Sequence, residues 1–269
     1  MREIRKIAIL IDGDNADSKL IEPILAEAGK HGKVIIKRVY GDFSVSEFSK
    51  KWSKDLCNSF AIRPMQKYSY TKGKNSTDTE LIIDAMDILH LVDGFCIVSS
   101  DSDYTGLAHR IREKGLFVVG IGRNQTPEAF QKACETFIFT EILEPQSENK
   151  QPEKNTEHAA ESTKTAASKS AGVKAAGQIN LNLINSSRKA GVKSIRKQDI
   201  DSAFDMAKDE GTELANSSRL LQTLKQSDST FDYRNFGFNS FRKFCECLAP
   251  AYTISLGKDG TTMLLKRAE

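Results

Sequence analysis

Cysteine is scarce in this chain. Its five cysteines are an odd number, scattered singly except for Cys245 and Cys247. That spacing is neither C-x-x-C nor half of a plausible zinc site, so reduced thiols in a cytosolic protein are expected rather than a disulfide framework or a structural metal. Long apolar runs are missing too: none approaches the roughly 20 residues that a membrane span needs. The opening Met1-Arg2-Glu3-Ile4-Arg5-Lys6 leads into an apolar run too short for a signal peptide. Nor is there a large excess of charge of one sign, because 39 Lys and Arg against 36 Asp and Glu leave a formal +3. That balance permits a nucleic-acid partner without demanding one. These absences describe a soluble, cytoplasmic chain with no membrane partner, and 269 residues suffice for two ordinary domains or one large one.

What the chain does have is acid at the ends of apolar runs. Phe95-Cys96-Ile97-Val98 reads as a buried strand, and the segment Val98-Ser99-Ser100-Asp101-Ser102-Asp103-Tyr104 then delivers two carboxylates just before a helical pattern begins. The first strand ends the same way, with Ile7-Ala8-Ile9-Leu10-Ile11 running into Asp12-Gly13-Asp14-Asn15. If the two strands are parallel neighbours, Asp12, Asp14, Asp101 and Asp103 converge in the crevice beyond the strand ends, where open α/β sheets bind ligands. Converging carboxylates repel one another unless a cation sits between them. Oxygen-only ligands of this kind suit magnesium or manganese rather than zinc.

Strand and helix alternate from residue 6 to residue 139, which predicts an α/β domain with a mainly parallel sheet covered on both faces. One helix is expected over Ser18–Lys30 and another over Ser46–Phe60, with Trp52 and Leu56 on one face. Ala61–Met65 reads as a short strand in which Pro64 favours an edge position. A basic, aromatic loop follows, containing Lys67, Tyr70, Lys72 and Lys74. Lysines interleaved with tyrosines can neutralise phosphates and stack bases, although a solvated loop of long side chains has the same composition. Thr77-Asp78-Thr79-Glu80 has capping-box form and opens a helix to about Leu91. Its buried face is Leu81, Ile82, Ala85, Ile88 and Leu89, and Asp78 projects along that stripe in the first turn, aimed at the sheet. The alternative is that Asp78 only complements the helix dipole. Asp84 lies at the edge of the stripe. Pro127 is expected at the first position of a short helix.

The composition then divides the chain. Residues 1–143 form the α/β domain. Residues 144–175, rich in Gln, Ser, Glu, Lys, Thr and Ala, read as a flexible linker with little to bury. In residues 176–269, four helical segments and an aromatic turn at Phe231–Phe238 precede two strands, Tyr252–Leu256 and Thr261–Leu265, that pair as a hairpin. Helices closed by a hairpin describe a small winged helix, a module that binds nucleic acid or protein.

These motifs resemble the NYN domain family, a branch of the PIN-like metal-dependent ribonucleases. The matching stretches are Ile9–Asn15, Val39-Tyr40-Gly41-Asp42, Gly73–Asp78 with Asp84 after it, and Val98–Tyr104. The C-terminal part resembles an OST-HTH, or LOTUS, winged helix through its pattern and the Phe236-Gly237-Phe238 region. The first resemblance implies a three-layer α/β/α domain that holds Mg2+ or Mn2+ and hydrolyses RNA phosphodiesters. It places the catalytic, metal-binding acids at Asp12, Asp78, Asp101 and Asp103, with Asp14, Asn15, Asp84 and Ser100 in support. Asn15 matches the family's asparagine after the first acid, whereas family members often vary at the position of Asp14. Lys67, Tyr70, Lys72 and Lys74 are then the RNA-binding candidates. The second resemblance implies RNA as the partner of the C-terminal domain, some members taking a protein instead. Two other functions fit parts of the pattern. One is a non-catalytic RNA-binding adaptor whose acids hold a structural metal. The other is a haloacid-dehalogenase-like phosphatase, whose acid pair Asp12-Gly13-Asp14 copies, although Ala16 stands where that family expects Thr or Val.

Overall fold

The computed structural model describes residues 5–67, 76–144, 181–189, 191–209, 211–249, 251–257 and 260–268, with the side chains of residues 76–78 excluded. The linker expected after Glu144, and Tyr70, Lys72 and Lys74, lie outside the described residues. Six strands form one sheet in the order β3-β2-β1-β4-β5-β6, all parallel. They are β1 (Lys6–Asp12), β2 (Lys33–Gly41), β3 (Arg63–Gln66), β4 (Gly94–Val98), β5 (Phe117–Gly122) and β6 (Thr136–Phe139). The central β1 and β4 are apolar and buried along almost their whole length, as a sheet covered on both faces requires.

Alternation along β1 sends Ile7, Ile9 and Ile11 to one face and Ala8 and Leu10 to the other. The isoleucines pack with α1 (Ile21–Gly29), α2 (Ser46–Lys51) and α3 (Lys54–Ser59) through Ile24, Phe48 and Cys57. The opposite face meets α4 (Ser76–Asp87), α5 (Thr105–Glu113) and α6 (Glu128–Ala133) through Leu81, Leu107 and Phe130. Of the predicted buried stripe, Leu81 and Ala85 are buried on α4 with Ile82 half-buried, and Ile88 and half-buried Leu89 lie just past its end. Pro64 sits on the edge strand β3, where its missing N–H costs no central hydrogen bond. The chain winds outward from β1 to β3, returns to β4 and winds outward again to β6. The order therefore reverses between β1 and β4, the position where doubly wound sheets open a crevice.

The structure differs from the sequence expectation at several places. The helix expected to reach about Leu91 ends at Asp87, and a separate 3-10 turn covers Leu89–Leu91. The helix predicted over Ser46–Phe60 is two helices, because Trp52 leaves helical geometry and Ser53 caps α3 by accepting the Leu56 N–H at 3.2 Å. The helix predicted over Ser18–Lys30 begins as a 3-10 turn at Ser18–Leu20, capped by Asp17. Pro127 caps α6 in extended geometry instead of occupying its first turn. A three-residue strand, β7 (Leu214–Asn216), carries no periodicity to recognise and joins the expected hairpin.

The C-terminal region comprises α7 (Leu181–Ser186), α8 (Lys197–Ala207), α9 (Ser217–Ser227) and α10 (Phe241–Glu246). Its antiparallel sheet runs β7-β9-β8, with β8 at Tyr252–Leu256 and β9 at Met263–Arg267. This region packs against the α/β domain. The Phe137 N–H of edge strand β6 donates to the Ser229 carbonyl at 2.7 Å, and Ser229 Oγ donates to the Gln131 carbonyl at 2.8 Å. The edge is thereby covered. Arg234 forks onto both oxygens of Glu27 at 2.9 and 3.0 Å and onto Asp232, with Glu27 only 5% exposed. Burial pushes the Glu27 carboxyl up, but Arg234 and Lys30 outweigh it and hold the carboxyl below its ordinary range.

Candidate active site at the strand ends

β1 and β4 pair in register from Ile7 and Gly94 to Ile11 and Val98, so their acidic extensions leave the sheet side by side at the switch point. Asp12 is the last residue of β1 and, at 1% exposure, is buried. By alternation it lies on the Ala8 and Leu10 face, the side covered by α4. Its Oδ2 accepts from Asn15 Nδ2 at 2.7 Å and from Ser99 Oγ at 2.7 Å, and its Oδ1 meets the Asn15 N–H at 3.4 Å. The Ser99 hydroxyl in turn accepts the Asp101 N–H at 3.0 Å, so one buried hydroxyl links the first acid to the loop carrying the second pair. Asp101 accepts the Asp103 N–H at 3.0 Å and caps the 3-10 turn Ser102–Tyr104 that leads into α5. Ser100 accepts the Arg123 N–H at 2.9 Å, tying the end of β4 to the end of β5.

The turn after Asp12 is held from the opposite face. Gly13 donates to the Tyr40 carbonyl at 3.0 Å, and a Cβ there would meet that oxygen at 2.7 Å and the Phe48 ring at 2.5 Å, so only glycine fits. The Gly13 carbonyl accepts from the Trp52 indole at 2.9 Å and from Lys51 Nζ at 2.8 Å, and Lys51 also reaches the Asp14 carbonyl at 3.1 Å. This bond is why Trp52 interrupts the expected helix: its side chain is drawn under the turn. Burial lowers the Lys51 pKa, opposed by Asp14, Asp17 and Asp12, which places its cation in the field of the acidic loop. Sequence reasoning missed Ser99, Lys51 and Arg123. Their only signal was position, two at strand ends and one on the helix whose tryptophan was read as core.

The remaining expected residues fall as follows. Asp14 and Asp103 are exposed on their loops. Asp84 is engaged by Arg38 and by the Tyr40 hydroxyl, one partner on each oxygen. Burial and Asp84 together raise the Tyr40 phenol far above its ordinary value, so it stays a donor. Asp78 lies six residues earlier, about 9 Å along the axis of α4 toward the strand ends. Its backbone is in the first turn and its side chain lies outside the described residues. α4 packs against β1, β2 and the 3-10 turn after Asp101. Lys67 is half-buried and its N–H donates to the Gly41 carbonyl at 3.1 Å. A crevice of about 220 Å³ on the α1 side of the strand ends is lined by Asn15, Ser99, Ser100, Arg123 and Glu141, and Asp12 is not among its lining residues. No described histidine takes part: His90 and His109 are exposed on helical segments, and His31 lies past the far end of α1.

Among the described residues, no group of three His, Cys, Asp or Glu side chains gathers as a metal site. The donors present nonetheless fit a hard cation. Asp12 is a buried carboxylate whose hydrogen-bond partners are an amide and a hydroxyl, and among the described residues no lysine or arginine forms an ion pair with it. A buried anion partnered only by neutral donors is costly unless a cation is supplied.

An open, parallel, doubly wound sheet with acids at its switch point defines an α/β protein of PIN-like fold. The model of the NYN domain matches residues 6–144, slightly more than half the chain, and the chain belongs to that family, one of PIN-like nucleases. Among solved structures it is similar to the crystal structure of a protein of unknown function from Vibrio parahaemolyticus. The two are 20% identical, with a TM-score of 0.44, and the likeness covers 51% of this chain and 93% of that one. No curated protein matches it. No helix among the described residues is long and apolar enough to cross a membrane.

Proposed function

We propose that the chain is a divalent-metal-dependent ribonuclease. In this reading a nuclease domain over residues 1–143 is joined through residues 144–175 to an OST-HTH, or LOTUS, winged helix over residues 176–269 that binds RNA. The observation that carries the reading is the buried Asp12 carboxylate at the β1–β4 switch point, fixed by Asn15 and Ser99 and linked through Ser99 to the Asp101 loop. Asp12, Asp78, Asp101 and Asp103 would hold Mg2+ or Mn2+, which supplies Lewis-acid stabilisation of a transferring phosphoryl group and lowers the pKa of a nearby water. The chain's own residues do the rest. Ser99 and Asn15 hold Asp12 in one orientation, so no reorganisation is needed when the substrate arrives. Lys51 partly offsets the negative charge of the loop that an RNA phosphate must approach. Lys67, Lys72 and Lys74 bind the RNA backbone, and Tyr70 stacks a base. Hydrolysis breaks one P–O bond, adds the water's hydroxyl to phosphorus and leaves its proton on the departing oxygen, with no covalent enzyme intermediate. Helices closed by an antiparallel sheet support the winged-helix reading of the C-terminal unit.

The test is cleavage of labelled single-stranded and structured RNA with magnesium, manganese or EDTA, beside Asp101→Asn. Metal-dependent cleavage that disappears in the variant is the expected result. RNA binding without cleavage under every metal condition would replace the enzyme by an adaptor, and a phosphate trapped on Asp12 would replace it by a phosphatase.

A further inference from the structure

The seam between the sheet and the C-terminal unit opens into a cleft of about 1010 Å³ at the end of the sheet opposite Asp12. Its walls come from the starts of strands and the ends of helices: Arg5 precedes β1, Phe117 opens β5, and His31 follows α1. Six cations line it, namely Arg5, Arg112, Lys132, Lys193, Arg196 and Lys225. Three acids line it, and each already has a donor. Glu135 accepts from Arg112 at 3.1 Å and from the Val118 N–H at 2.8 Å, Asp199 accepts from Arg196 at 2.7 Å, and Asp228 accepts from the Thr230 hydroxyl at 2.6 Å. Among the described residues, Arg5 and Lys225 have no carboxylate partner. Arg5 lies over the Phe117 ring, 5.0 Å from its centroid. The cations exceed the acids by three, as large an excess as that of the whole chain. Lys132 and Lys193 share Glu128, at 2.9 and 2.8 Å, so Arg5 and Lys225 are the two cations whose charge the concave surface focuses without a paired acid. His31 registers that field: burial first, then Lys225, Lys30 and Arg5, with Glu27 opposing, hold its pKa at about 4.

We propose that this cleft is a second RNA site, an exosite that grips the phosphodiester backbone of the substrate away from the cut. The proposal rests on the ribonuclease reading for its substrate class. Its geometry is independent of that reading, because none of its six cations belongs to the strand-end site. The six residues of β5 separate the two ends of the sheet by roughly 20 Å. An RNA long enough to cross the cleft meets several of its cations at once, whereas a tetranucleotide meets few and binds weakly; with a divalent metal present the longer RNA also reaches the strand ends. Lys225 and Arg5 contribute through charge, so each should add about one unit to the salt dependence of binding.

The experiment measures fluorescence anisotropy of labelled RNA of about 20 nucleotides and of a tetranucleotide, in EDTA and at several salt concentrations. The full chain is compared with the Arg5→Glu/Lys225→Glu double variant. The Arg5→Gln/Lys225→Gln pair, which only neutralises, serves should the reversal disturb folding. The longer RNA should bind about tenfold more weakly to the reversal variant at low salt, with a salt slope shallower by about two, while the tetranucleotide binds weakly to both proteins. In the wild-type protein the His31 ring resonances should shift with the longer RNA and not with the tetranucleotide. Unchanged affinity and slope in both variants would overturn the proposal, as would no RNA binding by the wild type. Equal binding of poly-glutamate would overturn it in favour of an acidic protein partner. Because binding is read in EDTA, a failure of the nuclease reading shows separately, as absent cleavage with the exosite intact.

Discussion

The two ends of the parallel sheet are chemically opposite. At the carboxyl ends of the strands, the neighbouring β1 and β4 run into two acidic loops, which carry Asp12 and Asp14 and Asp101 and Asp103. At the amino ends, Arg5, Arg112 and Lys225 line a wider cleft completed by the C-terminal unit. A formal charge of +3 for the chain hides this separation. A net charge constrains solubility and non-specific binding, whereas the arrangement of charge decides which end repels a polyanion and which end holds it. The acidic end needs a cation before RNA can approach. The basic end does not.

The largest effect that distinguishes the ends is on chemistry. Asp12→Asn should lower RNA cleavage by a factor on the order of 10³ while leaving affinity for long RNA in EDTA within about twofold. Single-turnover cleavage and anisotropy check the two halves of that statement. A fall in long-RNA affinity equal to the fall in rate would erase the proposed division of labour.

Stability should separate the ends next. Trp52 is 1% exposed and its indole holds the Gly13 carbonyl, so Trp52→Ala should cost about 3–5 kcal/mol in urea unfolding. Trp52→Phe, which keeps a ring and loses the hydrogen bond, should cost far less, of order 1 kcal/mol plus a small packing term. At the seam, Arg234→Ala strands the buried Glu27 with Lys30 alone and should cost roughly 2–4 kcal/mol. It should also speed hydrogen exchange at the Phe137 amide, which bonds to Ser229, and leave the amides around Asp12 as protected as before.

The smallest effect is a pH dependence confined to the basic end. The His31 pKa is about 4 in the folded protein against about 6.5 unfolded, so the unfolded chain binds more protons between those values. Stability from this group is therefore complete above pH 6.5 and is lost as pH falls toward 4, by about 2–3 kcal/mol. Histidine NMR titration should show His31 neutral at pH 5.5. In Lys225→Gln its pKa should move upward. An unmoved value would mean that Lys225 does not act on it.

Much of this arrangement was legible in the sequence, for physical reasons that vary by element. The apolar runs of β1 and β4, bounded by turn residues and too short for helices, read as buried strands, so the strands and their acidic ends followed from pattern. The parallel pairing of Ile11 with Val98, which makes the acids neighbours, was a condition in the sequence and is an observation in the structure. Asp84 sat on the expected helix, but its engagement by Arg38 and Tyr40 depends on β2 lying beneath α4, which no local signal encodes. Ser99 and Lys51 were invisible for the same reason, since their roles arise from contacts across the fold. Trp52 misled, because its position four residues from Leu56 suggested a continuous helix, whereas a tertiary hydrogen bond to Gly13 ends that helix early. The basic cleft was wholly illegible. Its six cations span residues 5 to 225 and meet only because Ser229 and Arg234 hold the C-terminal unit against β6 and α1.

The central claim is that the acids at the switch point hold a divalent cation. Calorimetric titration of the wild-type protein and of Asp12→Asn and Asp78→Asn with Mn2+ tests it most directly, without reference to any substrate. The account predicts saturable binding in the wild type that weakens at least tenfold in each variant while thermal unfolding stays cooperative. Binding of equal strength in all three proteins, or none in the wild type, would contradict it.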